Sequence, residues 1–139
     1  MKKEEILKQF QKHMGYTDQE MEIFVSNPRR LKMVTETPDF IKSRLVAEVL
    51  ESHGCAAQHK VGDKFVMTPG GDLITEECPK RICISAVSAI NSVLPAVYDR
   101  LISGSDPGFE RTNTVQCGDI GLDKGGFGKI LLEVRLEKI

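Results

Sequence analysis

The chain has no apolar run approaching the roughly 18 residues of a membrane-spanning helix, and Met1–Glu5 is charged. Both features lead us to expect no signal peptide, no transmembrane helix and a cytoplasmic location. There is no charge excess either. The 19 basic and 20 acidic residues leave a net charge of -1, and basic residues are scattered, so neither nucleic acid nor an anionic membrane is expected as a partner. Internal repeats and low-complexity tracts are absent. Paired C-x2-C knuckles, which usually advertise structural zinc, are absent too, and the glycine-rich Asp123–Lys129 stretch lacks the spacing of a phosphate loop. What is present is 139 residues of ordinary composition, 40% apolar and 28% charged, enough for one domain that needs neither disulfide nor metal to fold. In a reducing compartment Cys55, Cys78, Cys83 and Cys117 read as buried residues, metal ligands or reactive thiols.

Ile6, Leu7, Phe10 and Met14 predict an amphipathic helix over Lys3–Met14, stopped by Gly15. Thr17-Asp18-Gln19-Glu20 is a capping box for a second helix, with Met21, Phe24 and Val25 as its apolar face. Asn27-Pro28 ends it, and a third helical piece covers Pro28–Val34. With a break at Thr37-Pro38-Asp39, residues 1–38 form a helical N-terminal extension, and residues 39–139 form the core of a single domain.

From Arg44 the period changes to two, so Leu45, Ala47 and Val49 predict a strand. Lys64–Thr68 is a second, and Pro69-Gly70-Gly71 turns the chain back through Leu73-Ile74-Thr75 as a hairpin. Cys83, Val87, Ile90, Leu94, Val97 and Leu101 then repeat at helical spacing. They predict a long central helix with Cys78 at its N-cap, Pro79 in its first turn, and Pro95 bending or splitting it. Gly104–Gly108 reads as a loop, Thr114–Cys117 as a brief strand and Gly118–Gly128 as a flexible hairpin loop. Ile130, Leu132, Val134 and Leu136 alternate with Glu133, Arg135 and Glu137, the pattern of an antiparallel strand with one wet face. The fold class is α+β: N-terminal helices, then a small, mostly antiparallel sheet of four or five strands packed on one long central helix.

The run Cys55-x3-His59-Lys60-Val61-Gly62-Asp63-x-Phe65, with Cys78-Pro79, Leu94-Pro95 and Cys117, resembles a family of small uncharacterised prokaryotic proteins over residues 44–139. The resemblance implies a compact α+β domain in which cysteines and a histidine gather from distant parts of the chain. It carries no activity. The N-terminal extension and the Gly118–Gly128 segment depart from the commoner pattern.

His59 lies four residues after Cys55, close enough to share a metal with it or to hold its thiol as a thiolate. His53, two residues before Cys55, is the second choice. Cys78 at a helix N-cap is favoured as a thiolate by the helix dipole. Cys83, on the apolar stripe, reads as core, Asp63 as a turn residue, and His13 as solvent-facing. Cys55, His59, Cys78 and Cys117 together would make a three-thiolate, one-imidazole set suited to zinc or iron. The leading expectation is therefore a small cytoplasmic metal-binding domain. Two alternatives stand beside it. One is a thiol-dependent enzyme or redox protein with Cys78 as nucleophile and His59 as base, the Gly118–Gly128 loop closing over a small-molecule ligand. The other is an interaction module with structural cysteines that forms a homodimer, or docks on a partner, through its N-terminal helices.

Overall fold

The computed structural model describes residues 2–36, 42–103 and 113–138. The break at Thr37–Asp39, the boundary between residues 38 and 39 and the loop at Gly104–Gly108 lie outside the described residues.

The N-terminal helices start and stop on the signals present in the sequence. α1 (Lys3–Met14) ends on Gly15, whose φ of 71° is the left-handed conformation that glycine adopts without strain. α2 (Asp18–Val25) opens on a complete capping box: Thr17 Oγ1 accepts from the Glu20 amide at 3.2 Å, and Glu20 Oε1 accepts from the Thr17 amide at 2.9 Å. α3 (Pro28–Thr35) begins with proline where no N–H is needed, and the Asn27 side chain accepts from the amides of Arg29 and Arg30. Phe10 and Phe24 pack with ring centroids 4.6 Å apart, joining α1 to α2, with Tyr16 at the edge of Phe10. Arg29 reaches Asp99 at 2.8 Å and so ties α3 to the long helix, α4 (Ile84–Ser103).

Strands β1 (Ser43–His53), β2 (Lys64–Met67), β3 (Thr114–Gln116) and β4 (Lys129–Lys138) form one antiparallel sheet in the order β2-β1-β4-β3. Their alternation places Leu45, Ala47 and Val49, Phe65 and Met67, and Ile130, Leu132 and Val134 on one face. These side chains are buried against Ala86, Ala89, Ile90 and Val97 of α4. Each large aliphatic or aromatic side chain so buried contributes about 1.5–3 kcal/mol relative to exposure. The α+β architecture is the one predicted, and α4 passes through Pro95 as a single helix. On the opposite face Arg135 binds Glu48 at 2.7 Å and Glu137 at 2.8 Å. Burial alone would lower the Arg135 pKa, but hydrogen bonds to Glu48 and Glu137 outweigh it and raise it. Between Val49 and Glu51 the pairing of β1 with β4 shifts by one residue, leaving Leu50 as a bulge just before the loop that carries Cys55 and His59. No helix among the described residues is long and apolar enough to cross a membrane.

Two local expectations are corrected. α4 starts at Ile84, so Cys78 does not cap it; the first carbonyl acceptor is that of Cys83, which receives the Val87 amide at 3.1 Å. Cys78 instead ends a short 3-10 turn (Thr75–Glu77), where the outward-facing backbone of Val66 in β2 claims its thiol. The return of the hairpin after β2 is not a strand. It is a single bridge between Met67 and Leu73, extended by a bond from the Ile74 amide to the Val66 carbonyl.

Candidate functional site

Three loops meet where β1 ends and where β4 and α4 begin: residues 54–63, 79–83 and 117–128. Gly128 lies against the carbonyl of His53 and the backbone of Gly54 so closely that a Cβ there would overlap both. That contact joins the first loop to the third. A hydrogen bond from the Cys83 amide to His59 Nε2, at 3.3 Å, joins the first to the second.

His59 is fixed on every side. Gln58, with a φ of 60°, reverses the chain just before it, and the Gln58 amide donates to the Cys55 carbonyl at 2.9 Å. The reversal turns the imidazole inward, edge-on to Phe65 at 4.9 Å between centroids, while Ser52 Oγ donates to the His59 carbonyl at 2.6 Å. Because Nε2 accepts from an amide, the neutral ring carries its proton on Nδ1, which faces Asp63 Oδ2 at 3.9 Å. Burial lowers the His59 pKa, and the nearby Asp63 charge offsets this only in part. The ring is therefore a neutral structural connector with its one acceptor already occupied. Asp63 behaves as a turn residue, Oδ2 accepting from the Lys60 amide at 2.9 Å.

Two of the four thiols are also committed to backbone. Val66 points its N–H and C=O away from β1 toward the free edge of the sheet, where Cys78 Sγ accepts from the amide at 3.3 Å and faces the carbonyl at 3.4 Å. At the other edge Cys117 Sγ accepts from the Ile130 amide at 3.3 Å, while its own amide bonds the Ile130 carbonyl. Cys55 and Cys83 pack, partly buried, against the apolar core. All four are free thiols.

The four residues expected to share one ion are thus not brought together. Val66 pairs with Val46 and Ile130 with Ser52, so the anchor points of Cys78 and Cys117 lie roughly 20 Å apart along β1 at about 3.3 Å per residue. Thiolates on one zinc stand about 4 Å from one another. Among the described residues no three His, Cys, Asp or Glu side chains are grouped so as to hold a metal. Nor does a hydrogen bond join Cys78 to His59: Sγ of Cys78 is bonded to Val66 and Nε2 of His59 to the Cys83 amide. His53 is exposed beside a shallow cleft of about 200 Å³, lined also by Glu51, Ser52, Gln116 and Lys129. That volume is below the roughly 300 Å³ at which small-molecule pockets begin.

The glycine-rich segment, expected as a flexible lid, is tied down from within. The Asp119 carboxylate accepts from the amides of Gly121 at 2.8 Å, Phe127 at 3.2 Å and Gly128 at 3.4 Å, and the Gly126 amide closes on the Gly121 carbonyl at 2.8 Å. These bonds, the Gly121 amide foremost, lower the Asp119 pKa. Gly126 sits against the Asp119 carboxylate where any Cβ would collide. The Asp119-x-Gly121 spacing, an Asx turn, is the signal in the sequence that points to this cradle. Held this way, the segment presents Ile120, Leu122 and Phe127 to solvent, all exposed.

The chain matches no protein-family model, no curated protein and no solved structure.

Proposed function

We propose that this protein is a non-catalytic docking module, in which the cysteines and His59 maintain the fold and the end of the molecule around the first turn of α4 makes the contact. One observation carries the reading. Of the eight exposed large apolar side chains among the described residues, six (Leu50, Val61, Ile84, Ile120, Leu122 and Phe127) lie on or beside the three loops that meet there. Ile84 is 78% exposed, Leu122 74% and Phe127 71%. Scattered single residues of this kind are normal on a surface, but a concentration at one end, on a loop braced by internal hydrogen bonds, marks a place of contact. The N-terminal helices draw less support as the contact, because Phe10, Tyr16 and Phe24 are spent on one another.

The metal-binding and thiol-enzyme readings also draw less support, since Cys78, Cys117 and His59 each serve a separate stretch of backbone. Four free thiols suit a reducing compartment, and we place the protein in the cytoplasm. The test is elemental analysis of protein purified anaerobically without an affinity tag, together with alkylation rates of each thiol. The expected result is no stoichiometric zinc or iron, and alkylation of Cys78 no faster than that of an unactivated thiol. Near-stoichiometric metal that disappears in Cys55→Ser, or rapid alkylation of Cys78, overturns the reading.

A further inference from the structure

The two loops that His59 joins are held with different firmness. The first is stitched to β1: the Gly62 amide donates to the Val49 carbonyl and the Val49 amide to the Asp63 carbonyl, each at 2.9 Å, while Ser52 Oγ holds the His59 carbonyl. Residues 79–83 have no such anchorage. Among the described residues, the bond from the Cys83 amide to His59 Nε2 is the only hydrogen bond that ties them back to the sheet, because the Cys83 carbonyl serves Val87, ahead of it in α4. Ile82 and Cys83 add apolar contact with the core, and Lys80, Arg81 and Ile84 beside them are exposed.

We propose that His59 is a pH-operated latch: its neutral ring holds residues 79–83 and the first turn of α4 against the first loop, and its protonation lets them swing away. A proton taken up at Nε2 occupies the lone pair that receives the Cys83 N–H, so two donors face each other and the bond is lost. The imidazolium keeps a partner on its other side, since Nδ1–H faces Asp63 Oδ2 at 3.9 Å, and the Lys60 amide holds Asp63 in place. The ring therefore stays with its anchored loop, and the segment held by one bond moves. Nothing else around the ring competes for that role. β2 brings Phe65, β1 brings Ser52, and the two loops carry the thiols of Cys55 and Cys83, none of which gains charge on acidification. His53, Lys60, Lys64, Lys80 and Arg81 are exposed, and Glu48 is paired with Arg135 on the opposite face of the sheet. Burial favours the neutral ring, so the latch is shut at neutral pH and opens below the ordinary value of 6.5. The latch goes beyond the docking reading and acts whether or not that end makes a contact.

Amide hydrogen exchange of the full chain at about pH 7.5 and about pH 5.5, corrected for the intrinsic rate of each amide, reads the latch at Cys83. An open form that binds its proton near 6.5 and a closed form that refuses it imply a loss of protection of up to about tenfold across that interval. Protection at Cys83 should also lie well below that of the β1 and β4 amides at both values, because the latch opens without unfolding the sheet. In His59→Gln the side-chain carbonyl accepts in place of Nε2 and takes up no proton, so the loss should vanish, whereas in His53→Gln it should persist. Far-ultraviolet circular dichroism checks that both variants remain folded. Protection at Cys83 that equals that of the strands, that is unchanged by pH, or that falls as far in His59→Gln as in the natural chain overturns the proposal. The first two results are read on the natural chain, so they decide the matter even if His59→Gln does not fold.

Discussion

Nε2 of His59 accepts the backbone N–H of Cys83 at 3.3 Å, so a single imidazole joins the loop after β1 to the start of α4. Cys83 is the residue whose carbonyl begins the helix, so the bond fixes where α4 starts relative to the sheet it covers. His59→Phe keeps a ring against Phe65 but leaves the Cys83 N–H without its acceptor. Leaving this half-buried donor unsatisfied is expected to cost about 1 kcal/mol, the lower end of the range for a fully buried one, in urea unfolding of the variant.

Burial of the same imidazole gives stability a pH dependence of defined sign. Burial lowers the His59 pKa in the fold, while the unfolded chain takes up its proton near the ordinary value of 6.5. Below that value the unfolded state binds more protons than the folded state, so the contribution is complete above it and is lost as the pH falls toward and through the depressed value. Urea midpoints are expected to drop between about pH 7 and about pH 5 in the natural chain, and the drop should shrink in His59→Phe. An equal drop in both would assign the effect to other groups.

Much of the fold was legible because it rests on short-range rules. Gly15, the Thr17–Glu20 box and the alternation of Leu45, Ala47 and Val49 each act within a few residues, and each does what its pattern predicts. The candidate site was less legible because its partners are distant. Cys78 lies next to a proline, which suggests a helix cap, yet the outward-facing amide and carbonyl of Val66, twelve residues earlier, decide its position. Likewise the spacing of Cys55 and His59 suggested a shared ligand. The left-handed Gln58 between them turns the imidazole instead toward Phe65 and Cys83.

Asp119 organises the loop that displays Leu122 and Phe127. In Asp119→Asn one oxygen is replaced by an amide that meets backbone N–H groups as a donor, so the cradle cannot be complete. Hydrogen exchange at Gly121, Phe127 and Gly128 is expected to quicken about tenfold or more, with the core strands unchanged. The Asp119 pKa is lowered, so in the natural chain the cradle holds above the ordinary carboxylate value of 3.8 and loosens as the pH falls below it.

Gly128 tests the contact between the first and third loops. Its Cβ position lies against the His53 carbonyl and the backbone of Gly54, and none of those atoms belongs to a movable side chain. Gly128→Ala therefore has to separate the loops or shift β4 where Lys129 pairs with His53. The expected cost is about 1–3 kcal/mol in thermal or urea unfolding, as for overpacking in a core. Gly118→Ala, where nothing lies within 4 Å, is the matched control and should change little.

Cys78 stands at the one sheet edge that its thiol and Ile74 close. Cys78→Ser preserves a donor and an acceptor facing Val66, whereas Cys78→Ala removes both and leaves the Val66 amide pointing outward from β2. Ile74 still bonds the carbonyl, so the loss is that of one weak hydrogen-bonding group, about 0.5–1.5 kcal/mol. An opened edge also offers a template for pairing with another chain. Cys78→Ala should accordingly be slightly less stable than Cys78→Ser and should self-associate at lower concentration in light scattering. If Ser and Ala behave alike, the thiol is filling space at the edge, and its hydrogen bonds to Val66 contribute nothing to holding it.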